Sequence, residues 1–75
     1  MIVFGKEKCP YCDKTKDLLK QKDIPYLYVD IQKAGITGDF KLYLQSLGTP
    51  LTVPQIYDPF TGHLGGYKEL QEFLK

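Results

Sequence analysis

The sequence predicts an α/β fold with the element order βαβαββα, in which a four-stranded mixed sheet is flanked by helices. Three observations support this prediction. The first part of the chain has a short apolar run, an amphipathic stretch and an alternating run, which indicate strand, helix and strand. A second amphipathic stretch follows and indicates another helix. The last part has two strand-like runs around a turn and then a final helical pattern. The 75 residues leave room for one domain, spanning residues 1–75, whose margin of stability is expected to be thin.

The first three elements are predicted to form a βαβ unit. Ile2–Gly5 is an apolar run ended by glycine, which favours a buried strand. A helix is predicted from Pro10 to about Lys22, because residues recur at helical spacing and proline suits the first helical turn. The side chains of Tyr26–Ile31 alternate between two faces, as in a strand. The two strands should be parallel, with a right-handed crossover between them.

A second helix is predicted after a loop over residues 32–38. Asp39 is expected to cap it, because aspartate accepts hydrogen bonds from the first free N–H groups of a helix. Phe40 and Leu44 follow at helical spacing, and Gly48 is expected to end the helix.

The last third of the chain is predicted to contain a hairpin and a closing helix. An extended segment, "TPLTVP", leads into "QIYD" at 55–58, which has the composition of a strand. "PFTG" at 59–62 is a turn and "HLGG" at 63–66 a returning strand. A final helix is predicted over Tyr67–Lys75, with Leu70 and Phe73 on its apolar face.

Charge and hydropathy disfavour two classes of partner. Ten lysines and nine acidic residues give a formal net charge of +1, so no global field favours nucleic acid or an anionic membrane. The apolar start is too short for a signal peptide, and no run approaches the roughly 20 apolar residues of a membrane span. We therefore expect a cytoplasmic protein. We also expect a monomer.

The segment "KCPYCDKTK" at 8–16 contains the only two cysteines, Cys9 and Cys12. A zinc site needs about four ligands, and the chain adds only the distant His63, so a metal would require a site shared between two chains. A structural disulfide is not normally maintained in a reducing compartment. Two inert buried thiols remain an alternative, but the sequence favours a redox-active dithiol.

The placement of the pair supports redox chemistry. Cys9 is predicted at the N-terminal end of a helix, where free N–H groups and the helix dipole favour a thiolate. Lys6 and Lys8 add positive charge nearby. Cys12 lies one helical turn further on and is expected to face inward, where a resolving thiol should be.

Four blocks of sequence carry a resemblance to a known family: "IVFGKEKCPYC", "YLQSLGT", "LTVPQIY" and "HLGGYKELQEFL". In this order and with Pro10-Tyr11 between the cysteines, the chain resembles the dithiol glutaredoxins, which have the thioredoxin-like fold. It is similar in particular to phage-encoded glutaredoxins that also act as thioredoxins for ribonucleotide reductase. The resemblance covers nearly the whole chain.

The resemblance assigns the chemistry to the cysteine pair and to one loop. It implies that Cys9 is the nucleophile and Cys12 the resolving thiol. Pro54 would be a cis-proline facing the pair, and Thr52 and Val53 would border the ligand. The Val53 backbone would then bond an incoming glutathione or peptide in an extended pairing.

The resemblance also implies a glutathione-binding surface around the pair. Lys6 matches the basic position that meets the glycyl carboxylate of glutathione, and Tyr11 matches the aromatic residue that lines the cleft. Lys41 falls on a second-helix position that is often glutamine or basic in this family.

The remaining expected ligand contacts come from Gly66, Tyr67, Lys68 and Glu69. Gly65-Gly66 matches a glycine pair that lets the backbone approach the ligand closely. The family usually continues with Ser or Thr and then Asp, so Lys68 and Glu69 depart from its pattern. This departure predicts weaker binding of the γ-glutamyl end of glutathione.

The predicted function is glutathione-linked reduction of protein disulfides and glutathionyl mixed disulfides. Glutathione would be a cosubstrate with no bound cofactor or metal, and disulfide-containing proteins, ribonucleotide reductase among them, would be partners. One alternative is a thioredoxin-type donor recharged by thioredoxin reductase. Another is a non-enzymatic carrier in which two chains bridge an iron-sulfur cluster through Cys9 and glutathione, which Pro10 disfavours.

Overall fold

The structure is a computed structural model that describes residues 1–75. The predicted element order is confirmed. The elements are β1 (Ile2–Gly5), α1 (Pro10–Gln21), β2 (Leu27–Asp30), α2 (Thr37–Ser46), β3 (Gln55–Asp58), β4 (Gly62–Gly65) and α3 (Tyr67–Phe73). None of the three helices has the length and apolar character needed to cross a membrane.

The four strands form one mixed sheet in the order β2-β1-β3-β4. β1 is parallel to β2, with Ile2 opposite Leu27, and antiparallel to β3, with Phe4 opposite Gln55. The carboxyl end of β1 therefore lies beside the amino end of β3. This register brings the loop that leads into α1 against the segment that precedes Gln55.

The two faces of the sheet are covered by different helices. Val3 on β1 packs in a fully buried cluster with Leu19 of α1, Ile56 of β3 and Leu70 of α3. Phe4, the next residue, points to the opposite face, as alternation along a strand requires. Its ring lies 5.4 Å from that of Phe40 in the second cluster, which also contains Ile31 and Leu44.

The prediction that Asp39 caps α2 is wrong. The helix begins at Thr37, three residues before the start at Phe40 that this cap implied, and its N-cap residue Ile36 makes no side-chain cap. The earlier start follows from contacts to the end of the preceding segment. The Ile36 N–H and the Thr37 hydroxyl both donate to the Ile31 carbonyl, at 3.0 and 3.3 Å. Asp39 lies in the first turn, where its charge still suits the helix dipole.

Other element boundaries differ from prediction by one or two residues. β2 is shorter than the predicted Tyr26–Ile31, β4 begins one residue early at Gly62, and α3 ends at Phe73. Gly48 follows the C-cap of α2 with a φ of +69°, a conformation that glycine adopts readily, as expected of the residue that ends the helix.

Candidate active site

Cys9 occupies the N-cap position of α1. Its backbone is extended (φ −118°, ψ 101°), and Pro10 follows in the first helical turn. The Cys9 Sγ accepts a hydrogen bond from the backbone N–H of Cys12 at 3.1 Å. A sulfur that accepts an N–H at a helix N terminus is better stabilised as a thiolate than as a thiol.

The two cysteines form a disulfide across one helical turn, with their Cα atoms 5.2 Å apart. Cys9 retains 7% of its surface in contact with solvent, whereas Cys12 is fully buried beneath it. The predicted inward orientation of Cys12 is confirmed. Cys9, which also lines a groove, is therefore the cysteine of the pair that an incoming molecule can reach.

The loop before β3 faces the pair. The Val53–Pro54 peptide bond is cis, as the sequence resemblance implied, and the Val53 carbonyl oxygen lies 3.9 Å from the Cys9 Sγ. Pro54 is buried, while Val53 and Thr52 border open space. The parallel and antiparallel pairings of β1 thus place residues 44 positions apart against each other.

Gln55 holds this loop in position, a role that the sequence analysis missed. Its side chain is 2% exposed, and its Nε2 donates to the Thr52 carbonyl at 2.9 Å. Its Oε1 lies 2.7 Å from the Nε2 of His63 on β4. The sequence did contain a signal for this role, since Gln55 is a polar residue at the start of an apolar strand, directly after the loop proline. A glutamine buried there needs hydrogen-bond partners, and the preceding loop is the nearest source of them.

Two grooves meet at the pair. The first, of about 480 Å³, opens over Cys9 between the β1–α1 loop and α2, and we call it the lysine groove. The second, of about 650 Å³, opens toward the start of α3, and we call it the tyrosine groove. The lysine groove is lined by Lys6, Lys8, Cys9, Pro10, Tyr11, Ile31, Gln32, Thr37, Phe40, Lys41, Leu44, Leu51, Thr52 and Val53. The tyrosine groove is lined by Tyr11, Thr52, Val53, Pro54, Gly66, Tyr67, Lys68, Glu69 and Gln71.

The residues that the sequence predicted for the site line one of these grooves, except the buried Cys12 and Gly65, the first glycine of the pair. Tyr11, Thr52 and Val53 line both, so they form the ridge where the grooves join. Tyr11 is 56% exposed, and its ring lies 5.8 Å from that of Tyr67. Lys14 lies over the Tyr11 ring at 4.9 Å, a distance that suits a cation–π contact.

The sequence profile of the glutaredoxin family matches residues 1–59, which contain the cysteine pair and the cis-proline loop. The chain belongs to the glutaredoxin family. The function shown by this membership, with a cysteine pair that forms a disulfide, is that of a thiol-disulfide oxidoreductase.

Individual glutaredoxins are similar over nearly the whole chain. Glutaredoxin 1 of Escherichia coli is 39% identical over 80 residues, covering 99% of this chain and 91% of its own length. The glutaredoxin of bacteriophage T4 is 37% identical over 75 residues, covering 91% of this chain and 86% of its own. The similarity to a phage glutaredoxin that the sequence suggested is thus confirmed.

Solved glutaredoxins share the architecture, so the predicted thioredoxin-like fold is confirmed. Reduced E. coli glutaredoxin superimposes with a TM-score of 0.74 at 38% identity, covering 97% of this chain and 89% of its own. A buckwheat glutaredoxin, solved as a complex with glutathione, superimposes with a TM-score of 0.77 at 28% identity. That match covers 95% of this chain and 64% of the buckwheat protein.

Glu69, which departs from the glutaredoxin pattern, has a structural role. Its Oε1 accepts a hydrogen bond from the backbone N–H of Gly66 at 2.8 Å, so it caps the first turn of α3. Gly65, just before, has a φ of +121°, which strongly favours glycine. The N–H group at Gly66 is therefore already bonded to a carboxylate of the same chain.

Gly5 provides the space behind the buried sulfur. A Cβ placed on Gly5 would lie 2.9 Å from the Cys12 Sγ and would also meet the Tyr28 hydroxyl. The Tyr28 hydroxyl donates to the Lys6 carbonyl at 3.2 Å, and burial together with the nearby Asp30 raises the pKa of this phenol. No group of three or more His, Cys, Asp or Glu side chains is arranged to hold a metal ion.

We expect Gly5→Ala to destabilise the protein by about 1–3 kcal/mol, because the new methyl group overpacks the space beside Cys12. Gly38→Ala is the matched control. Gly38 lies in α2 with nothing within 4 Å of an added Cβ, so this variant should be neutral or more stable by up to about 1 kcal/mol. Urea denaturation of the oxidised proteins measures both changes. Equal stabilities of the two variants would contradict the packing argument.

Proposed function

We propose that this glutaredoxin reduces protein disulfides and glutathionyl mixed disulfides with electrons from glutathione, using Cys9 as the nucleophile and Cys12 as the resolving thiol. The observation that carries the proposal is the difference between the two sulfurs. Cys9 lines a groove and its Sγ accepts an N–H at the start of α1, while Cys12 is fully buried within bonding reach.

In the dithiol route, the Cys9 thiolate attacks one sulfur of a target disulfide. A bond forms between the Cys9 Sγ and that sulfur, and the other target sulfur leaves as a thiolate that takes a proton from water. Cys12 then loses its proton and attacks the Cys9 Sγ. The second target thiolate leaves, and the Cys9–Cys12 disulfide seen in the structure is formed. Two electrons have passed to the target.

Two glutathione molecules complete this cycle. The first attacks the Cys9 Sγ, forms a mixed disulfide and releases Cys12 as a thiol. The second attacks the glutathionyl sulfur, so that oxidised glutathione leaves and the Cys9 thiolate is restored. In the monothiol route, Cys9 takes a glutathionyl group from a modified thiol and a second glutathione removes it, without participation of Cys12.

Stabilisation of the Cys9 thiolate should speed the step in which Cys9 leaves a mixed disulfide more than the step in which Cys9 attacks a disulfide. A lower thiol pKa raises the thiolate fraction, but nucleophilicity falls with a Brønsted coefficient of about 0.4–0.5, so the two effects nearly cancel in attack. The same stabilisation makes Cys9 a better leaving group when its mixed disulfide is attacked. The Cys12 N–H and the positive charge of Lys6 and Lys8 would both act in this direction.

The two grooves supply a surface for glutathione. In the proposed arrangement Lys6 meets the glycyl carboxylate, the Val53 backbone pairs with the tripeptide, and Tyr11 and Tyr67 line the cleft. Gly66, Lys68 and Glu69 border the opposite end, where the γ-glutamyl group would lie. The glutathione complex of the similar buckwheat protein supports this ligand class.

The cap at Gly66 favours a second candidate, a thioredoxin-type donor recharged by thioredoxin reductase. Glu69 occupies an N–H group beside the γ-glutamyl end and adds negative charge there, which should weaken glutathione binding. In either case a dithiol that must be reduced to act suits a reducing compartment such as the cytoplasm. Ribonucleotide reductase is a candidate target, as for the phage-encoded glutaredoxins that the sequence resembles.

A coupled assay distinguishes the two electron sources. The oxidised protein is incubated with NADPH and either glutathione with glutathione reductase or thioredoxin reductase alone, and a protein disulfide is supplied as substrate. We expect faster NADPH consumption with glutathione. Consumption only with thioredoxin reductase would replace the proposal by the second candidate, and a Cys9→Ser protein provides the blank for both systems.

A further inference from the structure

The lysine groove contains unpaired positive charge. Lys6, Lys8 and Lys41 line it, and no aspartate or glutamate is among its lining residues. The ion pairs of the structure involve other lysines, namely Lys16, Lys33 and Lys75. Lys6, Lys8 and Lys41 therefore border this groove without an ion pair to a carboxylate.

The tyrosine groove on the other side has a different balance. It is lined by one lysine, Lys68, and one carboxylate, Glu69, which is already bonded to the Gly66 N–H. The two grooves meet at Thr52 and Val53, next to Cys9. A polypeptide lying across Cys9 along this ridge thus meets positive charge on one side of its cysteine and a nearly neutral surface on the other.

The backbone of Lys8 provides an independent observation. Its φ is +54°, in the left-handed region that glycine and asparagine adopt more readily than lysine. The residue directly before the reactive cysteine is thus a lysine, although the backbone conformation at this position disfavours a lysine. Strained backbone conformations are found more often at functional sites than elsewhere. Here the strained residue is a lysine that lines the groove.

We propose that the lysine groove selects protein substrates with acidic residues on one side of the target cysteine. The inference rests on the proposed function and names its class of substrate. Glutathione itself would place one carboxylate near Lys6, which is fewer negative charges than the three lysines that line the groove can accept. An acidic polypeptide segment supplies the further carboxylates, and complementary charge in a cleft raises the rate of encounter by about 10-fold or more.

The test uses protein reduced beforehand with dithiothreitol, so that the electron source does not enter. Each substrate is a peptide whose single cysteine is linked to a chromogenic aryl thiol. Attack by Cys9 on the peptide sulfur releases the aryl thiolate, which is followed by absorbance. One peptide has Asp and Glu before the cysteine, one has them after it, and one has Asn and Gln at all these positions.

We expect one of the acidic peptides to react about 10 times faster than the neutral peptide at low ionic strength. The other acidic peptide should differ from the neutral one by much less. The preference should largely vanish near 1 M salt, where charges are screened beyond about 3 Å. Equal rates for all three peptides, or equal acceleration by acidic residues on both sides, would overturn the inference.

Substitutions of single lysines test which of them cause the preference for the acidic peptide. Lys8→Asn removes the charge and places a residue that tolerates positive φ, so its thermal midpoint should not fall. Lys8→Asn and Lys41→Gln should each lower the acidic-to-neutral rate ratio several-fold, whereas Lys20→Gln, an equal change of net charge on the exposed last turn of α1, should leave it unchanged. A ratio that survives the Lys8 and Lys41 variants, or falls as much with Lys20→Gln, contradicts the proposal. Failure to reduce the neutral peptide at all would instead contradict the proposed function.

Discussion

Cys9→Ser is expected to lower both protein-disulfide reduction and deglutathionylation to the rate measured without protein, because the remaining sulfur, that of Cys12, belongs to a fully buried residue. Cys12→Ser should retain most of the deglutathionylation, which needs one sulfur, and should lose protein-disulfide reduction. In that variant the mixed disulfide at Cys9 has no internal thiol to displace it.

Two measurements distinguish these outcomes. Release of glutathione from a glutathionylated peptide follows the monothiol route, and reduction of a protein disulfide follows the dithiol route. Mass spectrometry of Cys12→Ser should also show the trapped adduct on Cys9. Equal loss of both activities in the two variants would mean that the roles of Cys9 and Cys12 are wrongly assigned.

Leu19→Ala is expected to be the most destabilising of the substitutions considered for the core. Leu19 is fully buried against Val3, Ile56 and Leu70, and truncation of a buried leucine costs about 2–5 kcal/mol. A domain of this size has a total stability of roughly 4–11 kcal/mol, at about 0.05–0.15 kcal/mol per residue. The variant should therefore lose a large part of its stability.

The thermal midpoint of Leu19→Ala should fall by about 8 °C or more, since each kcal/mol shifts it by about 4–8 °C in a small domain. Circular dichroism and urea denaturation measure the change. Leu42→Ala is the control, because Leu42 also lies on a helix but is 64% exposed, and it should change stability by no more than about 0.5 kcal/mol. Similar losses in both variants would show that the cluster around Leu19 is not the main core.

The site depends on this core through α1. Leu19 fixes the inner face of the helix that begins at Cys9, so loosening the cluster also loosens the position of the sulfur relative to Val53. On the other side of the site, hydrogen bonds from Gln55 to His63 and to the Thr52 carbonyl hold the loop that faces Cys9. The two halves of the site are thus held by different interactions, α1 by apolar packing and the facing loop by hydrogen bonds.

The sequence predicted most accurately the features that depend on neighbouring residues. The start of α1 follows from Pro10, and the separation of three residues places Cys9 and Cys12 on one helical turn whatever the rest of the fold. The start of α2 was predicted wrongly, because Thr37 bonds to Ile31, six residues earlier, rather than to a cap within the helix. The sequence also singled out Glu69 as unusual, but it gave no sign that the Glu69 carboxylate accepts a hydrogen bond from the Gly66 N–H.

By itself, then, the sequence determined the order of the elements, the reactive pair and which sulfur faces inward, because periodicity and helix geometry act over a few residues. Only the tertiary structure decided that Val53 lies against Cys9 and that the space around it divides into a positive and a nearly neutral groove. The reason is the antiparallel register of β1 and β3, which brings together loops far apart in the chain. No local pattern encodes such a register, since it is set by how whole strands and helices pack.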